Sequence, residues 1–283
     1  MYLTELADEF MRKYAERCLR PSTVRGYRIN LNRHVLPRLG DLDVQMIDVD
    51  DLDELTDKLA ATGLSNRTIV YVHATVRKMY NYAIRRGYVD FNPYDRFDMP
   101  TIKKFHHRVL HEDDIHRLLL CVRGSSLEIP VTLALCYGLR RGECLGVMSG
   151  LDVDFGNNVL HVQRSRGIEN GREVVSHCKT DSSDRFILLH PDHTALLYGK
   201  PGFACPLTPT VLDKRFKMFL DLHGFPSIRF HDLRHSYATL MLSKGVNPKI
   251  VSSVLGHSGV DVTLDIYSHP DVSMQRFCLD AFK

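Results

Sequence analysis

From Leu3 to about Tyr88 the apolar side chains return every three or four positions, as in Val24, Tyr27 and Leu31 and again in Val72, Val76, Met79, Tyr80 and Ala83. That spacing collects them on one side of a 3.6-residue turn, so the first part of the chain reads as amphipathic helices. Ser22 stands where an N-cap would start one helix, and Ser65 or Asn66 where one would start another. Between Asn92 and Arg108 the rhythm lapses into Asn92-Pro93, Met99-Pro100 and the basic run Lys103, Lys104, His106, His107, Arg108. Helical periodicity returns over 111–122 and 128–135, and then the period changes. Val159, Leu160, Val162, then Val174, Val175, then Phe186, Ile187, Leu188 predict a small three-stranded antiparallel sheet, with Asn170-Gly171 as the hairpin turn between the first two strands. Helices resume afterwards. Thr208-Pro209 and Asn247-Pro248 are N-cap residues followed by a proline at the first helical position, and Gly245 and Gly256 fall where left-handed C-terminal stops belong.

The expected fold class is therefore mainly α with a small antiparallel β-sheet: a helical unit over 1–100, a linker over 101–108 and a mixed α/β unit over 109–283. A chain of 283 residues with 44% apolar and 25% charged side chains is large enough for two cores. No stretch approaches the roughly 18 uncharged apolar residues of a membrane span. The start already carries Glu5, Asp8 and Glu9 where a signal peptide would be positive and then apolar. The expectation is a cytoplasmic protein with no membrane partner. Seven cysteines, scattered and without a Cys-x-x-Cys pair, point to reduced thiols and away from a structural zinc site.

A net charge of +3 does not by itself imply a polyanionic partner, but its distribution is lopsided. Arg12, Lys13, Arg17, Arg20, Arg25, Arg28, Arg33 and Arg38 face a single acid, Glu16, between residues 11 and 40. Asp41, Asp43, Asp48, Asp50, Asp51, Asp53, Glu54 and Asp57 follow as an acidic block, and Arg67, Arg77, Lys78, Arg85 and Arg86 as a second basic one. Separate faces of opposite sign suit a protein that lays one side on phosphates; solvated helix faces are the plain alternative.

Candidate chemistry lies in the second half: Arg140 and Glu143 in Gly138-Leu139-Arg140-Arg141-Gly142-Glu143, Lys179, the set His231-Asp232-Leu233-Arg234, His257 after Gly256, and Tyr267. Cleaving a phosphodiester with a protein nucleophile builds negative charge on the non-bridging oxygens, and fixed arginines, with their charged planar forks, meet it best. His231 and Arg234 stand three apart on a predicted helix, which turns both to one face, and Arg140 would arrive from another helix. A tyrosine hydroxyl titrates near pH 10 and needs a base or nearby cations to become a nucleophile. His231 or His257 could take that proton or bond the phosphate, and Lys179 on a turn between strands could protonate the leaving 5′ oxygen. Each residue also has a plainer role. Arg140-Arg141 could be a basic helix start, Glu143 an intrahelical ion-pair partner of Arg140, and Tyr267 a core aromatic. His231 and His235 have the spacing of helical metal ligands, but no third ligand lies at a telling spacing, and Asp152 and Asp154, alternate residues on a possible strand, could hold Mg²⁺ in a nuclease.

An arginine, a hairpin lysine, His-x-x-Arg, Gly-His and a tyrosine in that order resemble the catalytic domain of the tyrosine recombinases, the phage integrase family, across about 108–275. The helical first half resembles that family's SAM-like core-binding domain by pattern. The resemblance implies a site-specific recombinase that clamps double-stranded DNA between two domains. Tyr267 then attacks one strand to leave a 3′-phosphotyrosine and a free 5′ hydroxyl, with Arg140, His231, Arg234 and His257 on the phosphate, Lys179 as general acid and Glu143 in support. Since the bond energy is kept, no cofactor is implied, neither metal nor ATP. It further implies a homotetramer on DNA, joined through a C-terminal helix that would place Met274, Phe277, Cys278, Ala281 and Phe282 on one stripe, and allows for accessory DNA-bending proteins. That stripe could equally dock on its own domain. In place of a tryptophan that the family often has after Arg140 stands Met148-Ser149-Gly150, a difference of packing. Periodic sequence begins within the first ten residues, so no arm-site-binding domain is expected ahead of it, as in a simple Xer-like or minimal mobile-element enzyme or a piece of a longer one. The rivals are a topoisomerase-like or hairpin-forming resolvase, a DNA-binding regulator without chemistry, and a metal-dependent nuclease.

Overall fold

The computed structural model describes residues 1–102, 108–169, 171–177, 181–257, 259–260 and 263. The chain divides into two compact units, Met1–Phe105 and His106–Lys283. The expected linker residues 103–107 lie outside the described residues.

The first unit is all-helical. Helix α1 (Leu3–Phe10) runs on through a π-helical stretch, Met11–Ala15, into Glu16–Cys18. Helix α2 (Pro21–Ile29) does the same through Asn30–Val35 to Leu36–Leu39. Its N-cap is Arg20 and not Ser22, because Pro21 takes the first helical position, where its fixed φ and missing N–H cost nothing. Helix α3 (Val49–Ala61) starts from a reciprocal cap: Asp51 N donates to Asp48 and Asp48 N to Asp51. Helix α4 (Asn66–Arg85) starts at Ser65, whose Oγ accepts from Thr68 N at 3.3 Å. Leu6, Phe10, Leu31, Leu52, Leu55, Ile69, Val72, Met79 and Tyr80 fill the core. His73 is fully buried within it, bonded to Thr56 Oγ1 and to the Tyr94 hydroxyl, each at 2.9 Å, and burial pulls its pKa down to about 4. Tyr94 and Phe97 therefore belong to this core, although periodicity had already lapsed at Asn92. The acidic helix α3 meets α4 through Thr56 and His73, while the basic end of α1 meets it where Lys78 and Arg85 lie over the Tyr14 ring at 5.7 and 5.9 Å.

The second unit is mixed. It opens with α5 (Glu112–Cys121), α6 (Glu128–Tyr137) and α7 (Arg141–Gly146). Strands β1 (Val153–Asp154), β2 (Val159–Val162), β3 (Arg164–Glu169), β4 (Arg172–His177) and β5 (Arg185–Leu188) follow. Helices α8 (Pro191–Leu197), α9 (Pro209–Leu222), α10 (Asp232–Ser243) and α11 (Pro248–Leu255) complete the described part. The strands differ from the single expected sheet. β1, β2 and β5 form one antiparallel sheet in that order, in which Val159 faces Leu188 and Val162 faces Arg185. β3 and β4 form a separate hairpin closed by Glu169 facing Arg172. The cause lies in burial: β2 and β5 each turn alternate side chains into the core, whereas β4 is exposed nearly throughout and has no face to add to the sheet. Leu118, Val131, Leu145, Leu160, Leu212, Phe216 and Leu233 pack helices and sheet into one core.

Thr208 and Asn247 cap α9 and α11 through Val211 N and Lys249 N. Gly256 ends α11 with φ of 67°. Asp152 accepts from Met148 N at 2.7 Å, Gln163 Nε2 at 2.8 Å and Arg164 Nη2 at 3.1 Å, and Asp154 accepts from Gly156 N, Asn157 N and Asn157 Nδ2. Both carboxylates are engaged in turns. Among the described residues no helix is long and apolar enough to cross a membrane.

Candidate active site

Helix α6 stops at Gly138, whose φ of 64° reverses the chain, and Leu139 is buried behind it. The next residue, Arg140, is extended and serves as N-cap of α7. Two glycines four apart let α7 lie flush on β3: a Cβ on Gly146 would come within 2.9 Å of the Arg164 carbonyl oxygen, and one on Gly142 would run into Ser165 Oγ. Glu143, 3% exposed, is thereby held beneath Arg140. It accepts from Arg140 N at 2.9 Å and from Arg140 Nη1 at 2.7 Å. Arg140 also donates from Nη2 to the Gly256 carbonyl at 2.8 Å and from Nη1 to Ser183 Oγ at 3.3 Å. Burial pushes the Glu143 carboxyl up, but the guanidiniums of Arg185 and Arg140 outweigh it and hold it below the usual value.

Arg234 comes from α10 and is 3% exposed. Its Nη1 donates to the Gly138 carbonyl at 2.6 Å, while its Nη2 is buried with no hydrogen-bond partner among the described residues. Burial first, and then the charges of Arg140 and Arg185, pull its pKa down to about 9. An arginine in that condition is a cation short of an anion. The start of α10 is fixed by Asp232, 3% exposed, which accepts two side-chain nitrogens of Arg229, and by Ser236 Oγ, which accepts from Leu110 N at 2.9 Å. His257 follows the Gly256 stop; its Nδ1 is 2.8 Å from Thr263 Oγ1. Burial, then Arg234, Arg140 and Arg185, bring its pKa down to about 4, so it stays neutral in the free protein near pH 7.

Of the residues expected from sequence, Arg140, Glu143, Arg234 and His257 come together here. His231 stands exposed at the N-cap of α10, ahead of Arg234, with its ring edge-on to His235 at 5.1 Å. Lys179 and Tyr267 lie outside the described residues, as does the C-terminal stripe. Sequence reasoning missed Arg185, which is 8% exposed with its fork on Glu143. The signal was present in the alternation of β5: a strand that turns Ile187 inward turns Arg185 inward too. Among the described residues no three His, Cys, Asp or Glu side chains are grouped to hold a metal ion.

Arg140 and Arg185 pair with Glu143, and Arg234 adds a third guanidinium whose charge bears on theirs, where the start of α7, β5, α10 and the end of α11 meet; a cluster of this kind can hold an oxyanion of phosphate type. Residues 108–274 match the phage integrase family, and residues 7–87 match the phage integrase N-terminal SAM-like domain. The chain belongs to the phage integrase family of tyrosine recombinases. Among similar proteins, a XerC-like tyrosine recombinase of Caldanaerobacter subterraneus is 26% identical over 88% of this chain and 74% of its own length. The tyrosine recombinase XerC of Alcanivorax borkumensis is 29% identical over 95% of this chain and 88% of its own. Among solved structures, the Tn1549 transposon integrase in complex with transposon right end DNA superposes with a TM-score of 0.85 at 20% identity, covering 99% of both chains. A lambda integrase tetramer bound to a Holliday junction gives 0.67 at 17% identity, covering 92% of this chain and 78% of that one. These structural matches carry the mainly helical fold with its small antiparallel sheets.

Proposed function

We propose that this enzyme cuts double-stranded DNA at specific sites through a covalent bond from Tyr267 to a 3′ phosphate and rejoins it to a different 5′ hydroxyl. Its task is the integration or excision of a mobile element or the resolution of DNA multimers. The observation that supports this reading is Arg234: a buried guanidinium whose Nη2 has no hydrogen-bond partner among the described residues, with the charges of Arg140 and Arg185 bearing on it and on His257. A scissile phosphate supplies the missing anion. Arg140 and Arg234 then grip its non-bridging oxygens, and these become more negative as the tyrosine oxygen adds. The same cations favour the phenolate of Tyr267, and His231 or His257 accepts its proton or bonds the phosphate. Lys179 protonates the departing 5′ oxygen. Because a phosphodiester is exchanged for a phosphotyrosyl ester of similar energy, the reverse step reseals the strand, and the scheme consumes neither ATP nor metal.

Residues 1–100 serve in this scheme as the core-binding domain, the basic blocks of α1, α2 and α4 tracking phosphates. The linker over 101–108 joins it to the catalytic domain, 109–283, and the C-terminal segment joins four protomers. The protein works in the cytoplasm, on nucleoid DNA, with accessory DNA-bending proteins where a site requires them. The test is to incubate wild type and Tyr267→Phe, in chelator, with nicked DNA from the flanks of the gene and to separate the products on a denaturing protein gel. A retarded band with wild type alone is expected; DNA binding with no adduct overturns the assignment.

A further inference from the structure

Among the described residues, Arg185 is the one cation of the site to which the scheme above gives no task. It opens β5 opposite Val162, and its fork lies along Glu143, Nη2 on Oε2 at 3.0 Å and Nη1 on Oε1 at 3.3 Å. Nη1 also donates to the Ser183 carbonyl at 3.0 Å, and Nε to the carbonyl of Val254. One side chain thus ties together β5, which follows closely on Lys179, α7, which starts after Arg140, and the end of α11, which leads into His257.

The charges explain why two arginines share one carboxylate. Glu143 paired with Arg140 alone would cancel the charge that the phosphate needs. With Arg185 bound as well, one positive charge is left over, and Arg140 is the partner that reaches the surface: its side chain is 35% exposed against 8% for Arg185. We propose that Arg185 is a positioning residue that neutralises Glu143 from behind, so that Arg140, oriented by that carboxylate, keeps its charge for the scissile phosphate. This inference rests on the recombinase reading above.

A consequence follows for pH. Among the described residues, the charged and titratable groups that bear on Glu143 are Arg140 ahead of α7, Cys144 on α7, Arg185 from β5, Arg234 from α10 and His257 beyond α11. Two guanidiniums hold the carboxyl low against burial. With Arg185 gone burial gains, the carboxyl takes its proton at higher pH, and that proton frees Arg140.

The experiment uses the whole chain and a nicked duplex from the flanks of the gene, measuring single-turnover adduct formation and, separately, DNA binding. Arg185→Gln is expected to slow adduct formation about ten- to a hundredfold, the usual effect of losing a group that supports a ligand residue, with binding changed only a few-fold. Relative to wild type the deficit shrinks as the pH is lowered from about 8 to about 6, and adding Glu143→Gln removes that pH dependence and speeds cleavage. Adduct formation at the wild-type rate, or a deficit that is constant with pH and unrelieved by Glu143→Gln, overturns the proposal. Should Arg185→Gln fail to fold, Arg185→Lys carries the test, since it keeps the charge without the fork. Cleavage within about tenfold of wild type supports the proposal, and cleavage lost at every pH overturns it. If wild type itself forms no adduct, the recombinase reading fails; if it does and the Arg185 variants match it, this inference alone fails.

Discussion

Arg234 concentrates the conflict between stability and function. A buried guanidinium with one nitrogen unpartnered among the described residues, pressed by two more arginines, weakens the free protein, and in the proposed scheme the same features fit it to an incoming anion. Arg234→Gln can keep a donor toward the Gly138 carbonyl while removing the charge. It is expected to slow adduct formation by about a hundredfold or more, the scale of losing one preorganised oxyanion partner. In denaturant unfolding the free protein should stay within about 1 kcal/mol of wild type or gain stability. A loss of several kcal/mol in the free protein would show that Arg234 serves the fold first. The residue itself was legible, because His-x-x-Arg, Gly-His and the arginine after Gly138-Leu139 each sit in a local word. Arg185 was not, since its role depends on which residues a strand brings it against across the chain.

At the scale of elements, the site depends on how closely α7 lies on β3. Gly146→Ala would set a methyl within 2.9 Å of the Arg164 carbonyl oxygen, where backbone must move. The expected cost is about 1–3 kcal/mol, with adduct formation reduced because Glu143 and Arg140 shift with the helix. Gly150→Ala has open space around its Cβ and serves as control, expected within about 0.5 kcal/mol of wild type. Equal stability of the two variants in denaturant unfolding would refute the packing argument. The helices were legible through periodicity, and the caps at Ser65, Thr208 and Asn247 through their short side chains. The pairing of strands was not. Val174 and Val175 carry the same local preference as Val159 and Leu160, and only burial decides that one strand joins the sheet and the other stands in a hairpin. The start of α2 was misread for a local reason, the hydroxyl of Ser22 being a weaker signal than the ring of Pro21.

At the scale of the whole molecule, a net charge of +3 conceals basic and acidic runs that alternate along the first unit. Arg12, Lys13, Arg17, Arg25, Arg28 and Arg33 are exposed along α2 and the continuations of α1 and α2, Arg67, Arg77 and Arg85 along α4, and Asp41, Asp48, Asp50, Asp53, Glu54 and Asp57 on and ahead of α3. Two-unit organisation was legible in the lapse of periodicity, although Tyr94 and Phe97, beyond that lapse, are part of the first core. The polarity and the residue of the covalent link bear most directly on the account as a whole. Wild-type adduct on nicked DNA, digested with protease, should yield a DNA strand whose 3′ end carries a peptide containing Tyr267, identified by mass spectrometry, and a released strand whose 5′ end accepts phosphate from a kinase without prior phosphatase. A DNA-linked peptide that lacks Tyr267, or cleaved strands with free 3′ hydroxyls and 5′ phosphates, would contradict it.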